Sequence, residues 1–427
     1  MQVDLKSPLT RRMLMLAEVA VFLAAVGWIA KAYVANVVTL TPTAKNLELA
    51  VRLDPRNANY HLMLGRLYEY SVADIQPEKA LEHFRRAVQL NPNDPQAWLD
   101  LGTAIQFQGN TSEAERCLRS ADLLAPNMPA FQWPIGNFYL LQGNVKEAFR
   151  HLKVVLAGTS QYDQIVFTTA WKASEDPNEI LEQLIPQHPP TEFSYLYFLL
   201  SQQRFEEAQA VWKRIMSGSE SFGPQAARGY MDTLINARRP GEAYEIWTEM
   251  QNKGLIPSRP SGAPENLISN SDFEGELLNL GFNWRIGPVE GVYVGLDQTT
   301  FHSPSHALLV QFSGNQNVDY HHVFQYVKVS PGRPYRLQAF MKTEGITTDS
   351  GPRLLVYDAY EPAVLARLSE NLTESTNGWT PVSVEFTTGP KTELIIVVLV
   401  RGPSRKLDNL IAGKVWLDDV RLTPQRK

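Results

Sequence analysis

Residues in the first half of this chain recur every 34 positions. Leu101, Gly102, Gly109, Ala114 and Leu118 are answered by Ile135, Gly136, Gly143, Ala148 and Leu152, each 34 residues further on. Trp98, Ala121 and Pro126 belong to the first set, and Tyr139 and Val155 to the second. A unit of that length holds one pair of helices, and one pair cannot bury its own apolar face. Successive pairs must therefore stack into a solenoid, whose concave side is left for a partner. Such a fold presents surface and does not perform chemistry, so the repeat predicts a protein-binding scaffold without naming what it binds.

The pattern extends in both directions. A short helix through Leu47, Ala50, Val51 and Leu53 stops at Asp54-Pro55, and the same stop recurs at Asn91-Pro92 and Ala125-Pro126, because proline ends a helix cleanly. Leu64, Gly65 and Tyr68, then Ala80, Phe84 and Ala87, give an earlier unit with about three extra residues near Val72 to Gln76. Small residues mark close helix crossings and large ones fill the gaps between pairs. Three units thus run from Ala58 to Gly158. Tyr162 to Ile185 reads as a further pair. Ala208, Trp212 and Ile215, followed by Ala243, Trp247 and Met250, restore the second-helix spacing at 35 residues. The solenoid is assigned to 43–253, and on these residues it resembles the tetratricopeptide repeat family, whose members bind peptides or assemble complexes.

The amino terminus sets the expected address. Lys6, Arg11 and Arg12, in a basic segment 1–12, precede an apolar run from Leu14 to Ala30 that only Glu18 interrupts, with Trp28 and Tyr33 near its far end. About twenty apolar residues cross a bilayer, and Val34 to Val38 can lengthen this run, giving a membrane anchor at 13–38. Positive charge before the helix predicts that end inside and the bulk of the chain outside. A cleaved signal peptide competes with this reading, since Ala30-Lys31-Ala32 is a small-x-small site. Lys31 within that site and the extended apolar flank favour the anchor.

Length and charge bound the rest. The chain has 427 residues with 44% hydrophobic content, and at roughly 150 residues per domain that predicts two or three modules. Forty basic against 45 acidic residues leave a net charge of -5, which offers no basic footprint for nucleic acid. The single cysteine, Cys117, cannot form an intrachain disulfide and reads as an inert packed thiol.

A linker at 254–265, with Pro257, Pro260 and Pro264 among Ser258, Ser261, Gly254 and Gly262, ends the helical pattern. Beyond it the period becomes two. Val323 to Val329, Tyr335 to Met341, and Val382, Val384 and Phe386 alternate, Leu394 to Val400 reads as a buried strand, and Ser330-Pro331-Gly332 marks a turn. Short strands separated by turns predict an antiparallel β-sandwich. The expected architecture is thus multidomain, α plus β: an N-terminal transmembrane helix, an α-solenoid and a C-terminal sandwich.

Several motifs in this region carry a second resemblance. Asn266 to Glu274, Phe282-Asn283-Trp284, Pro331 to Tyr335, Gly378-Trp379 and Val415 to Leu422 together resemble carbohydrate-binding modules with a galactose-binding-like jelly roll, over 266–424. The resemblance implies a fold and, with less force, glycan binding. It also implies a structural calcium site where the opening and closing strands meet. By period two Asp418 shares a face with Trp416, Val420 and Leu422, so a carboxylate points at apolar surroundings and needs compensation; Glu274, with Asp272 nearby, is the matching acidic residue. Calcium takes six to eight oxygens, and a carboxylate bonded to backbone, or lying at the rim, is the alternative.

Glycan binding requires exposed rings beside hydrogen-bonding groups, and the candidates are Tyr293, Tyr320, His322, Gln325, Arg353 and Tyr357. Trp284 and Trp379 are expected in the core. His321 and His322, adjacent in a strand, are expected on opposite faces. The sequence contains no nucleophile elbow, phosphate loop, zinc helix or paired-cysteine site, so an enzyme is not expected, although two carboxylates alone could make a glycosidase. The whole arrangement resembles bacterial repeat proteins of exopolysaccharide assembly and export. That resemblance implies a single-pass protein of the inner membrane, N-terminus inside, with its bulk in the periplasm or otherwise extracytoplasmic. It would recruit protein through the repeats and contact polysaccharide through the sandwich. A structural envelope protein whose sandwich mediates protein contact only, and a glycan hydrolase, are the other readings.

Overall fold

The computed structural model describes residues 8–72, 75–258, 265–373, 375–376, 378–407 and 409–425. Lys6 with most of the basic segment, and Pro260, Ser261, Gly262 and Pro264 of the linker, lie outside them. Helix α1 (Pro8–Val38) is the one described helix long and apolar enough to cross a membrane, with a mean hydropathy of 2.2 in its best window. A signal sequence carries the same signature. Met15, Leu16, Phe22, Leu23, Trp28 and Ile29 all face outward. In its final turns one face is covered: Ala35 is fully buried in a small cluster with Ala50 and Tyr60, flanked by Val38 and Val51, while Tyr33, Val34 and Val37 stay exposed.

The paired helices follow the sequence period. After α2 (Ala44–Leu53) come α3 (Ala58–Tyr70) with α4 (Pro77–Leu90), α5 (Pro95–Phe107) with α6 (Thr111–Leu124), and α7 (Pro129–Leu141) with α8 (Val145–Gly158). Asn57, Asp94, Asn110 and Asn144 cap α3, α5, α6 and α8, each accepting a backbone N–H that the first turn leaves without an intrahelical partner. Gly109 and Gly143 turn the chain inside their pairs at φ of 83° and 70°, a region that favours glycine.

The helix glycines have a different task. A Cβ on Gly65 would stand 2.7 Å from the Phe84 ring, and one on Gly102 or Gly136 2.9 Å from Leu118 or Leu152. Within each pair the two helices therefore cross too closely for any side chain at that position. Cys117 is buried beside this crossing, and burial pushes its thiol up to about 11, which makes it the packed, inert thiol expected. The pair expected at Tyr162 to Ile185 is α9 (Asp163–Ala173) and a short α10 (Pro177–Glu179) that runs into a π-helical turn at Ile180–Leu184.

The chain divides into two compact units, one through Phe198 and one from Leu199, inside α11 (Pro189–Ser201). The sequence places a boundary at the linker 254–265; the structure instead groups α12 (Phe205–Ser217), α13 (Arg228–Asn236) and α14 (Pro240–Asn252) with the sandwich. The reason is side-chain packing. Phe282 packs edge-on against Tyr244 at 5.0 Å, Arg285 pairs with Asp232, the Tyr360 hydroxyl donates to the Ile235 carbonyl, and Gln225 donates to the Leu278 carbonyl. Trp212 and Trp247, from the two recovered second helices, are both about 1% exposed.

The sandwich has two five-stranded sheets, paired antiparallel throughout. One has the order β1 (Arg285–Ile286), β4 (Tyr320–Lys328), β9 (Leu394–Arg401), β6 (Arg353–Asp358), β7 (Ala366–Leu368). The other has β2 (Val292–Asp297), β3 (Ala307–Ser313), β10 (Ala412–Pro424), β5 (Pro334–Glu344), β8 (Thr380–Thr387). Inward residues of both sheets form one core, including Val323, Val327, Leu354, Val356, Ile395, Val397 and Leu399 from the first sheet and Leu308, Val310, Leu337, Val384, Val415 and Leu417 from the second. The opening segment meets the closing strand as the resemblance implies: Leu267 donates to the Leu422 carbonyl, and Asn266 bonds both Val420 and Leu422.

Two bulges break the strict alternation on which the sequence reading relied. The β10 register shifts between Asp418 and Arg421, with Asp419 at a φ of 49°. Leu417 faces inward on one side of the shift and Val420 and Leu422 on the other, so Asp418 does not share their face. A second shift lies between Tyr320 and Val323. It brings the rings of His321 and His322 together at 4.4 Å, nearly stacked, where alternation predicts opposite faces. An extra residue in one strand reverses the phase of all that follows.

Candidate functional site

The outer face of the first sheet carries a groove of about 550 Å³. Its floor is built by register: Arg353 pairs with Val400 and Leu355 with Val398, while Leu355 and Tyr357 face Leu368 and Ala366 across β7. Since successive strand residues alternate faces, Arg353, Leu355 and Tyr357 emerge together on the side opposite Leu354 and Val356. Asp319, Tyr320 and His321 close one end of the groove from the start of β4, and Pro362 and Gly402 complete it. The floor is largely aliphatic, and the polar groups stand around it.

The six glycan candidates do not all arrive here. Arg353, Tyr357 and Tyr320 line the groove. Tyr320 is no stacking platform, however, because it is about 1% exposed and its ring packs edge-on to Phe312 in the core. Gln325 is fully buried, and its amide bonds both the N–H and the carbonyl of Ser269, so it fastens the opening segment and offers nothing to a ligand. His322 is half-buried beside Tyr320 and His321, and burial lowers its pKa. Tyr293 is exposed but sits on β2 at the edge of the other sheet. His321, Asp319 and the aliphatic floor were not among the sequence candidates. The bulge that turns His321 into the groove leaves no mark in the strand's composition.

Arg401 supports this site from behind. It is fully buried, and its Nε donates to the Ser350 carbonyl, one Nη to Asn317 Oδ1 and the Val318 carbonyl, and the other to Thr348 Oγ1 and the Asn409 carbonyl. Burial lowers its pKa. The loops that carry Asp319 and Gly402 are thereby tied to β9.

Trp284 is in the core as expected, its indole N–H donating to the Asn270 carbonyl. Trp379 is not. It is half-exposed on the second sheet's side, bonded to the Phe301 carbonyl and edge-on to His302.

The carboxylates proposed for calcium are otherwise engaged. Asp418, fully buried, accepts from the backbone N–H of His302, Ser303 and Asp419 and from the Ser303 hydroxyl. Glu274 accepts from Ser305 Oγ and the His306 N–H and lies 3.1 Å from His306 Nδ1; burial would raise its pKa, but these bonds outweigh it and hold the carboxyl below its usual value. Among the described residues the Asp272 carboxylate receives the N–H of Glu274, at 3.5 Å. Among the described residues no three His, Cys, Asp or Glu side chains are grouped to hold a metal. Asp418 is thus bonded largely to backbone.

In the first unit the repeats present a row of their own. Tyr70, Phe107 and Leu141 each follow the helix glycine (Gly65, Gly102, Gly136) by five residues, and they are 58%, 75% and 75% exposed. Arg66 bridges to Asp100 between the first two repeats, and Gln96 also donates to Asp100. The register of that row was legible, since it repeats with the glycines; sequence reading followed the packing positions and passed over it.

The family model for the tetratricopeptide repeat matches residues 72–132, which span α4 to α6. The helices within that match are paired as tetratricopeptide repeats are, further helix pairs flank them, and an antiparallel β-sandwich follows. A search of curated proteins found no match. Among solved structures, the Pseudomonas aeruginosa PilF protein is similar at 13% identity and a TM-score of 0.27, over 53% of this chain and 91% of that one. A family 4 carbohydrate-binding module is similar at 16% identity and a TM-score of 0.28, over 37% of this chain and 99% of that one. The enzymatically active domain of tailspike protein 4 from Bacteriophage CBA120 is similar at 14% identity and a TM-score of 0.28, over 38% of this chain, which spans 21% of its length. At such scores helix pairing and strand order, not kinship, define the fold.

Proposed function

We propose that this protein is a non-enzymatic, membrane-anchored adaptor that recruits protein through its repeats and contacts glycan through its sandwich, in exopolysaccharide assembly or export. The observation that carries the glycan part is the open groove of about 550 Å³ with Tyr357, Arg353, His321 and Asp319 around an aliphatic floor. A sugar ring has apolar C–H faces and polar edges, and this arrangement offers a partner to each. For the repeats, the exposed row of Tyr70, Phe107 and Leu141 is apolar surface of the kind that marks a protein contact.

Retention of the anchor is supported by α1 itself, which continues unbroken through Ala30-Lys31-Ala32 and packs its last turns through Ala35. The address that follows is a single-pass inner-membrane protein, N-terminus inside, with the rest in the periplasm. Asp319 is the one carboxylate among the described residues lining the groove, whereas hydrolysis by paired carboxylates takes two; this favours binding over catalysis. The aliphatic floor favours one second reading, a structural envelope protein whose sandwich contacts protein only.

The test is binding of the full-length protein, in detergent, to a panel of bacterial polysaccharides and oligosaccharides. Saturable binding that Tyr357→Ala weakens at least about tenfold, the loss of one good aromatic contact, supports the adaptor. Absence of binding to every glycan sinks the glycan part and leaves the protein-contact reading.

A further inference from the structure

The groove holds a cation that no described residue answers. Among the described residues Arg353 forms no ion pair and donates no hydrogen bond, although it is half-buried and stands on the same strand face as Leu355 and Tyr357. The contrast with Arg401 is instructive, because there every N–H is met by an acceptor. A guanidinium is a planar fork matched to carboxylate, and it is most selective where an apolar surround strengthens charge. Asp319 and His321, which line the same groove, can bond hydroxyls.

We infer that the groove selects acidic saccharides: a uronic acid, or another sugar bearing a carboxylate, whose carboxylate meets Arg353, whose C–H face lies on Leu355, Val398 and Tyr357, and whose hydroxyls face Asp319 and His321. This inference rests on the glycan reading given above and adds the charge of the ligand. A neutral glycan would leave Arg353 half-desolvated without a partner among the described residues. An anionic one gains a charge-assisted pair in its place.

The experiment is calorimetric titration of the full-length protein in detergent with oligogalacturonate, oligomannuronate and oligoglucuronate, each beside its carboxyl-reduced neutral counterpart. The expected result is at least one uronate bound about 10- to 100-fold tighter than its neutral form, the range of one charged hydrogen-bonded contact. The preference should shrink at high salt and vanish in Arg353→Gln with unfolding unchanged, while Arg353→Lys keeps part of it. Equal affinity for the acidic and neutral members of every pair, or an Arg353→Gln variant that keeps the preference, overturns the acid assignment and leaves glycan binding standing. Binding to neither form of any pair, nor to the wider glycan panel, overturns both.

Discussion

Replacing Arg401 should reveal how the groove is held. Its guanidinium has five N–H groups, and five acceptors meet them at 2.7 to 3.3 Å: the carbonyls of Ser350, Val318 and Asn409 and the side-chain oxygens of Asn317 and Thr348. The side chain is 0% exposed and has no carboxylate in ion-pair contact among the described residues, so these dipoles, helped by the more distant Asp349 and Asp319 charges, offset its desolvation. Methionine fills similar volume but removes all five donors; Asn317 Oδ1 and the Ser350 carbonyl keep the Ser404 N–H and the Thr348 hydroxyl, and the other three oxygens face an apolar side chain. With each unmet acceptor costing about 1 kcal/mol or more, and relief of the buried charge returning part of that, Arg401→Met should cost about 3–5 kcal/mol. Lysine keeps the charge but offers three N–H groups on one nitrogen, so Arg401→Lys should fall between, at about 2 kcal/mol. Urea unfolding followed by tryptophan fluorescence reads the sandwich through Trp284, which is buried in its core. If the methionine variant matches or exceeds the native protein in stability, desolvation of the guanidinium outweighs its five bonds and the reasoning is refuted.

Two further predictions concern the repeats. Gly65→Ala places a Cβ 2.7 Å from Cδ1 and Cε1 of the buried Phe84 ring; overpacking at about 1–3 kcal/mol outweighs the roughly 1 kcal/mol that alanine adds to a helix, so the variant should lose up to about 2 kcal/mol. Once Phe84→Leu has removed the ring, the same substitution should be neutral or stabilising, and helical ellipticity during denaturation reads both outcomes; a stabilising Gly65→Ala in the native background would contradict the close crossing. His151 is buried between Arg150, which donates to its Nε2, and the Gln132 Oε1 that accepts from its Nδ1, with Asp122 and Glu147 nearby. Burial first, then the Arg150 charge, depress its pKa from 6.5 to about 4, so the unfolded chain takes up a proton that the folded one refuses. Stability is then fully present above 6.5 and is lost as pH falls from 6.5 toward about 4, by at most about 1.4 kcal/mol per pH unit. Melting of the native protein and of His151→Gln at pH 7.5 and 5.0 checks this; equal pH slopes for the two would remove His151 as the cause.

The sequence by itself determined what depends on local periodicity. The glycines, alanines and aromatic residues spaced by 34 fixed the helix pairs from Ala58 to Gly158, because each position in a repeat meets the same neighbour one unit later. Alternation fixed the strand at Val323 to Val329, since a half-buried strand admits one pattern, and a continuous apolar run fixed the buried strand at Leu394 to Val400. The long apolar run fixed α1. Tertiary structure alone decided what depends on phase and on distant neighbours. One extra residue at His321-His322, and another at Asp418-Asp419, reversed which side chains face the core, and composition does not record a bulge. Gln325 and Arg401 lie inside because segments far along the chain bring them acceptors: Ser269 for one, Asn317, Thr348, Ser350 and Asn409 for the other. The second unit begins at Leu199 and not at the linker because Phe282, Arg285 and Tyr360 pack on α13 and α14. A proline-rich segment signals where the backbone pattern changes, whereas a unit ends where buried contacts end, and those contacts exist only once the chain is folded.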